Sequence, residues 1–325
     1  MKKLIIALSA IAAAVGFTTS AQADISVSGS SNVAYLSTAG DGSNDEELAV
    51  GNTVDFALST TTSGGIGISS SMSLSQDYDA DTSTTTNGVD GGNSVTFTTG
   101  GSTIVVGDVE ISDTIGSVGG VVNGPLDDAS DLDTLVATGF ADDDGIGVEL
   151  TTAMGAASLN ISYVSNDDFN NFGALNSSAA GDNSAMSASI TMPFGAYSAT
   201  IGVADSDTNE SSSGVSVSGA IGGGTVTVGY SNQTLIADAG DGVVGGDSEV
   251  IGATYVMAMD ADTTISLGYQ NAKDADSQSH TQTDLSVERA LGGGATVYLD
   301  LRNMTGDMDA NEDGTAIAFG TSVAF

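Results

Sequence analysis

The sequence contains no cysteine and no tryptophan, a single histidine, and only five lysines and arginines against 42 acids. Without cysteine there are no disulfides, thiol nucleophiles, thiolate metal sites or lipidated cysteines. So little positive charge excludes a nucleic-acid partner, which needs a basic face to displace counterions. It also argues against a surface that seeks anionic lipid. Beyond the N-terminus, no apolar run approaches the ~18–20 residues a membrane-spanning helix requires. Any residence in a membrane must therefore use strands.

What the chain does contain is an apolar excess at odds with its charge. Mean hydropathy is +0.12 and 40 % of the residues are hydrophobic. Acidic disordered chains pair high charge with low hydrophobicity, so here the two must be separated along the sequence.

The N-terminus carries the three parts of an export signal: the basic Lys2-Lys3, the apolar Leu4–Phe17, and the small-x-small Ala21-Gln22-Ala23. Cleavage after Ala23 is expected, with residues 1–23 as signal peptide and 24–325 as the mature protein. No acid precedes Asp24, so three basic residues face all 42 acids and the mature charge is −39.

Apolar residues then recur with period 2 from one end to the other. Ile25, Val27, Val33 and Tyr35 share one face of the first segment, and Ile317, Phe319, Val323 and Phe325 one face of the last. Ser, Thr, Gly, Asn and Asp fill the alternate places. This is the pattern of strands with one apolar and one polar face, not of helices. Connections fall into two alternating classes. Seven are short, nearly uncharged turns such as Gly100-Gly101 and Gly222-Gly223-Gly224, which suit tight hairpins. Eight are long and acidic, among them 39–47, 77–92, 110–144, 166–182 and 234–246. Fifteen connections join sixteen strands. The expected fold is thus all-β: a transmembrane antiparallel barrel of about 16 strands, with short periplasmic turns and long external loops. A closed barrel leaves no unpaired edge for hydrocarbon to meet.

On the signal peptide, the ending Ala316–Phe325, the hairpin Val95–Asp108 and the hairpin Leu291–Val297, the chain resembles the general porins of Gram-negative outer membranes, particularly the alphaproteobacterial type. The resemblance implies a water-filled diffusion channel, a homotrimer in outer-membrane lipid, and an assembly signal at the terminal Phe325. It also implies that the third long loop, 110–144, folds into the barrel and narrows it. Within this loop Glu110, Asp113, Asp127, Asp128, Asp131 and Asp133 are candidate constriction residues. Gly119-Gly120 and Gly124-Pro125 offer the bends it needs.

The chain departs from the family in its bases. General porins usually set an arginine cluster opposite the acidic loop, whereas this mature chain has only Lys273, Arg289 and Arg302. Strand parity sends Arg302 into the lumen and Arg289 to the interface. An electronegative, cation-favouring pore follows. No catalytic constellation stands out, so an enzyme is not expected. Asp307, Asp309, Asn311 and Asp313 open like a calcium loop, but its twelfth position is Gly320, inside the last strand. No cofactor is required on this reading; loose Ca²⁺ or Mg²⁺ bridging by the acidic loops and simple adaptation to salty water both stand. Two other functions remain compatible with these features: a substrate-specific channel on the same fold, and a secreted calcium-binding adhesin. The adhesin reading lacks the fixed short repeat it would need.

Overall fold

A computed structural model describes residues 24–40, 44–79, 84–91, 94–112, 116, 118, 120–122, 144–165, 184–206, 210–235, 246–273, 278–306 and 314–325. The leader 1–23 lies outside them, as do Asp113, Asp127, Asp128, Asp131 and Asp133 and the calcium-like residues Asp307, Asp309, Asn311 and Asp313.

The described residues form β1 (Asp24–Gly40), β2 (Asn44–Thr61), β3 (Gly67–Asp79), β4 (Thr84–Gly91), β5 (Ser94–Thr99) and β6 (Ser102–Glu110). Beyond the long third connection come β7 (Asp144–Met154), β8 (Ala157–Ser165), β9 (Ser184–Phe194), β10 (Tyr197–Ser206), β11 (Ser211–Ile221) and β12 (Gly224–Leu235). The chain ends with β13 (Gly246–Ala258), β14 (Thr263–Lys273), β15 (Ser279–Gly292), β16 (Ala295–Gly306) and β17 (Gly314–Ala324).

Every pairing is antiparallel, all but β3–β5 and β1–β17 join sequence neighbours, and β1 pairs with β17 to close the sheet. Both β4 and β5 pair with β3, at Met72↔Gly91 and Ser69↔Thr96, so they are successive lengths of one stave. Seventeen segments therefore make sixteen staves, an even-numbered closed barrel.

The seven short turns fall where expected, four of them at runs of two or three glycines. Gly222 and Gly223 carry φ of 62° and 90°, and Gly293 and Gly294 carry 64° and 82°. Only glycine enters that left-handed region without strain, which is why these pairs end strands. The third connection spans the gap between Glu110 and Asp144 as expected. Two of the expected long loops are mostly strand. Residues 77–92 include β4, paired with β3 from Met72↔Gly91 to Asp79↔Thr84. Residues 39–47 belong largely to β1 and β2, paired out to Ala39↔Asn44. Extending both strands of a hairpin satisfies backbone groups that a loop would leave to water, and this outweighed the acidic, glycine-containing composition.

The two faces of the sheet differ as the alternation requires. Large apolar side chains, including Ile25, Leu58, Val203, Ile251, Leu267 and Phe319, are exposed on one face. The other carries Ser187, Gln233, Gln270, Gln282, Asp284, Asp300 and Arg302, all buried. In a closed barrel these are the outer and inner walls. At the seam, Phe325 and Gly29 exchange backbone N–H···O bonds of 3.0 Å in both directions. The Phe325 ring also lies over Gly29, where a Cβ would come within 2.8 Å of it. On the same outer face Tyr35 and Phe319 bring their ring centroids to 5.9 Å.

Candidate functional site

The site begins where β6 leaves the wall. Val109 and Ile111 are buried against Val164 of β8, Ala185 of β9 and Ala204 of β10, all inward-facing. The Ser112 N–H donates to Ser187 Oγ at 3.1 Å. The start of the third connection thus turns inside the barrel rather than away from it.

From there the described residues follow the inner wall across successive staves. Gly116 lies against the backbone of Gly214 and Val215 in β11 and of Tyr230 in β12. The Val118 carbonyl accepts a 2.6 Å bond from Gln270 Nε2 of β14, and the side chain of Val118 reaches Gly229 and Gly252. The Val121 N–H donates to Asp284 Oδ2 of β15 at 3.3 Å. Val122 is buried with Ala318 of β17 and packs on Leu36 of β1.

What admits the loop is a track of inward glycines: Gly229 on β12, Gly252 on β13 and Gly268 on β14. Gly229 and Gly252 stand opposite each other in the register. A Cβ on Gly252 would lie 2.6 Å from Val118 O, and one on Gly268 would lie 3.2 Å from Val121 Cγ2. Glycine inside a strand weakens it and often marks close approach of another backbone. Here that approach is the loop itself. Their signal in the sequence is single glycines at inward parity in the middle of strands.

The loop's anchor carries the barrel's inward arginine. Arg302 is 2 % exposed and donates from Nε to Asp284 Oδ1 at 3.2 Å, while Gln282 Nε2 donates to Asp284 Oδ2 at 2.8 Å. One carboxylate therefore serves the guanidinium, an amide and the loop backbone. Parity places Arg302 inward as expected, and its charge is met at once by Asp284.

Carboxylates dominate the inner rows. By register, Asp55, Glu149, Asp284, Glu288 and Asp300 all face inward, and Arg302 is the one Lys or Arg among the described residues that does. Glu149 Oε1 accepts from Asn160 Nδ2 at 3.0 Å and from Thr151 Oγ1 at 3.2 Å. At the root of the loop a cavity of about 410 Å³ is bordered by Asp108, Glu110 and Glu149 together with Val105, Val109, Ile111 and Ser112. Glu110, the one expected constriction acid within the described residues, is exposed there at the end of β6. His280 is buried at the loop end of β15.

Arg289 sits at the opposite end of the barrel. Its Nη1 donates to Thr263 Oγ1 at 2.6 Å and lies 3.5 Å from Asp260 Oδ2. Asp260, in the β13–β14 turn, is held below the usual aspartate range, first by the Asp262 backbone N–H and also by Thr263 and Arg289. Among the described residues no group of three or more His, Cys, Asp or Glu is placed to hold a metal ion.

The sequence signature described as Gram-negative porin matches residues 7–309. The chain belongs to that family. Solved structures bear out the fold at low identity. A porin structure refined at 1.8 Å is 17 % identical, with 93 % of this chain and 100 % of that one covered and a TM-score of 0.63. The outer-membrane protein OmpT of Vibrio cholerae, in its trimer form, is 12 % identical over 93 % of this chain and 99 % of that one, with a TM-score of 0.68. The anion-selective porin of Comamonas acidovorans is 13 % identical over 94 % and 100 %, with a TM-score of 0.63. No curated protein sequence matches the chain. As an outer-membrane porin, the chain puts its functional site in its lumen rather than in a catalytic cluster, and the exposed apolar wall is its membrane face.

Proposed function

We propose that this porin passes small hydrophilic solutes by passive diffusion, favours cations, and works as a homotrimer exported with its leader cleaved after Ala23. The observation that carries the cation preference is the inner-wall inventory: several inward carboxylates, Asp55, Glu149, Glu288 and Asp300 among them, against one inward arginine whose charge is already engaged by Asp284. A lumen of one sign concentrates counter-ions and repels co-ions. The trimeric form of the Vibrio cholerae neighbour supports the assembly. The Comamonas neighbour is anion-selective, so this barrel does not fix the sign, and the wall charges must.

On this reading the third loop forms the constriction. Its described part lies along the inner wall from β8 to β1, and its remaining acids, Asp113, Asp127, Asp128, Asp131 and Asp133, would add to the negative field. Ca²⁺ or Mg²⁺ held by the external acids, including Asp307, Asp309, Asn311 and Asp313, would moderate surface charge without being needed for conduction. The zero-current potential of reconstituted channels across a KCl gradient tests the proposal: cation preference supports it and anion preference refutes it.

A further inference from the structure

Among the described residues the inner wall carries a single tyrosine or phenylalanine. The others fall on the outer face by register, whereas Tyr298 of β16 faces inward between Glu288 of β15 and Gly320 of β17. A Cβ on Gly320 would run into the Tyr298 hydroxyl and Cζ, so the ring leans across β17 instead of standing into the channel. Glycine within a strand often marks such a close approach. The ring is half-buried, with one side against the wall and the other toward the lumen.

Its place along the channel is set by the rows on either side. Toward the long-loop end the next inward row is Ser286, Asp300 and Ala318. All three are buried, and Val122 of the third connection packs on Ala318. Toward the short-turn end the next row is Thr296, Ser322 and Asn32, where Asn32 is exposed. Tyr298 thus stands at the lip beneath the loop's seat, in the first row left uncovered there. Beside it Glu288 is exposed, and among the described residues its carboxylate accepts no hydrogen bond. Cβ atoms paired across antiparallel strands lie about 4.5–5.5 Å apart, so ring and carboxylate can meet one small ion together.

We propose that Tyr298 and Glu288 form a resting site for organic cations of the quaternary-ammonium kind as they pass the constriction. The face of the ring attracts a cation through its quadrupole, and Glu288 supplies the opposite charge. Hydration decides the class. A quaternary ammonium has no N–H to hold water and gives up its shell to the ring cheaply, whereas a small inorganic cation keeps its own. A neutral solute of the same shape gains dispersion from the ring and nothing from Glu288. Asp300, buried in the next row, adds negative field without touching the ligand. The inference rests on the cation-favouring porin reading and names a solute class for it.

The test titrates choline into KCl across single channels in a planar bilayer and reads the concentration that halves the K⁺ current. In the wild type choline should obstruct the current saturably, while the alcohol carrying a tert-butyl group in place of the trimethylammonium should not. Tyr298→Leu, which removes the ring, should raise the half-blocking concentration about fivefold. Tyr298→Phe keeps the ring face and should stay within about twofold of wild type. Glu288→Gln, which keeps the shape and removes the charge, should raise it about threefold, and this variant decides the matter if Tyr298→Leu fails to assemble. Equal block in wild type and Glu288→Gln, equal block by choline and its uncharged analogue, or a Tyr298→Phe channel as insensitive as Tyr298→Leu overturns the proposal. The zero-current potential of the same channels separates the two readings. Channels that prefer K⁺ over Cl⁻ yet ignore choline defeat this site alone; channels that prefer Cl⁻ defeat the cation-favouring reading with it.

Discussion

Arg302 and Asp284 form a buried ion pair on neighbouring strands, 3.2 Å apart, and the second oxygen of Asp284 holds the backbone of Val121. The base that would have formed a positive wall is thereby engaged in fastening the inward loop. Removing one partner of a buried pair leaves an uncompensated charge and costs about 3–5 kcal/mol. Asp284→Asn should lower the unfolding temperature, raise open-channel noise as Val121 loosens, and move the zero-current potential toward anions. Single-channel recording beside heat-modifiability gels reads all three effects.

The glycine track makes a second prediction. Gly252→Val introduces atoms where Val118 O and its Cβ now sit, and overpacking of this kind costs about 1–3 kcal/mol. The barrel should still form, because the neighbouring backbone ladder is intact, but the loop must leave its place. Conductance should change markedly in Gly252→Val and stay at the wild-type value in Leu267→Val, on the outer face. Identical conductance in both would show that the loop's seat on the wall is immaterial to the pore.

Closure at Phe325 makes a third. Deleting Phe325 removes two backbone bonds to Gly29 and the ring that covers it, whereas Phe325→Ala removes the ring alone. Refolding yield into detergent micelles, followed by the heat-dependent gel shift, should fall in the order wild type, Phe325→Ala, deletion. Cell-envelope fractionation would show whether the same order governs assembly in the outer membrane. Unchanged yields would remove Phe325 from the assembly role.

Much of this architecture was legible because barrel strands obey a strict period of 2. Parity alone placed Arg302 inward and put Ile317, Phe319 and Val323 together on the membrane face. Paired glycines marked the turns because the left-handed region admits little else. Register was not legible. Asp284 becomes the partner of Arg302 only when β15 and β16 align, and no local pattern gives that alignment. The 77–92 stretch was misread because acids and glycines imitate a loop, while Thr84, Thr85, Thr86 and Val89 are strand formers that pair with β3. Gly229, Gly252 and Gly268 passed as ordinary spacers because what they accommodate lies more than a hundred residues earlier in the chain.

Ion selectivity tests the central claim most directly. Across a tenfold KCl gradient in a planar bilayer, the wild-type channel should show a zero-current potential of the sign that marks K⁺ preference. That potential should shrink toward zero in the triple variant Asp55→Asn, Glu149→Gln, Glu288→Gln, which removes three of the inward carboxylates, and shrink further as salt rises and screening shortens. A wild-type potential of the opposite sign, or a triple variant indistinguishable from wild type, would contradict the account.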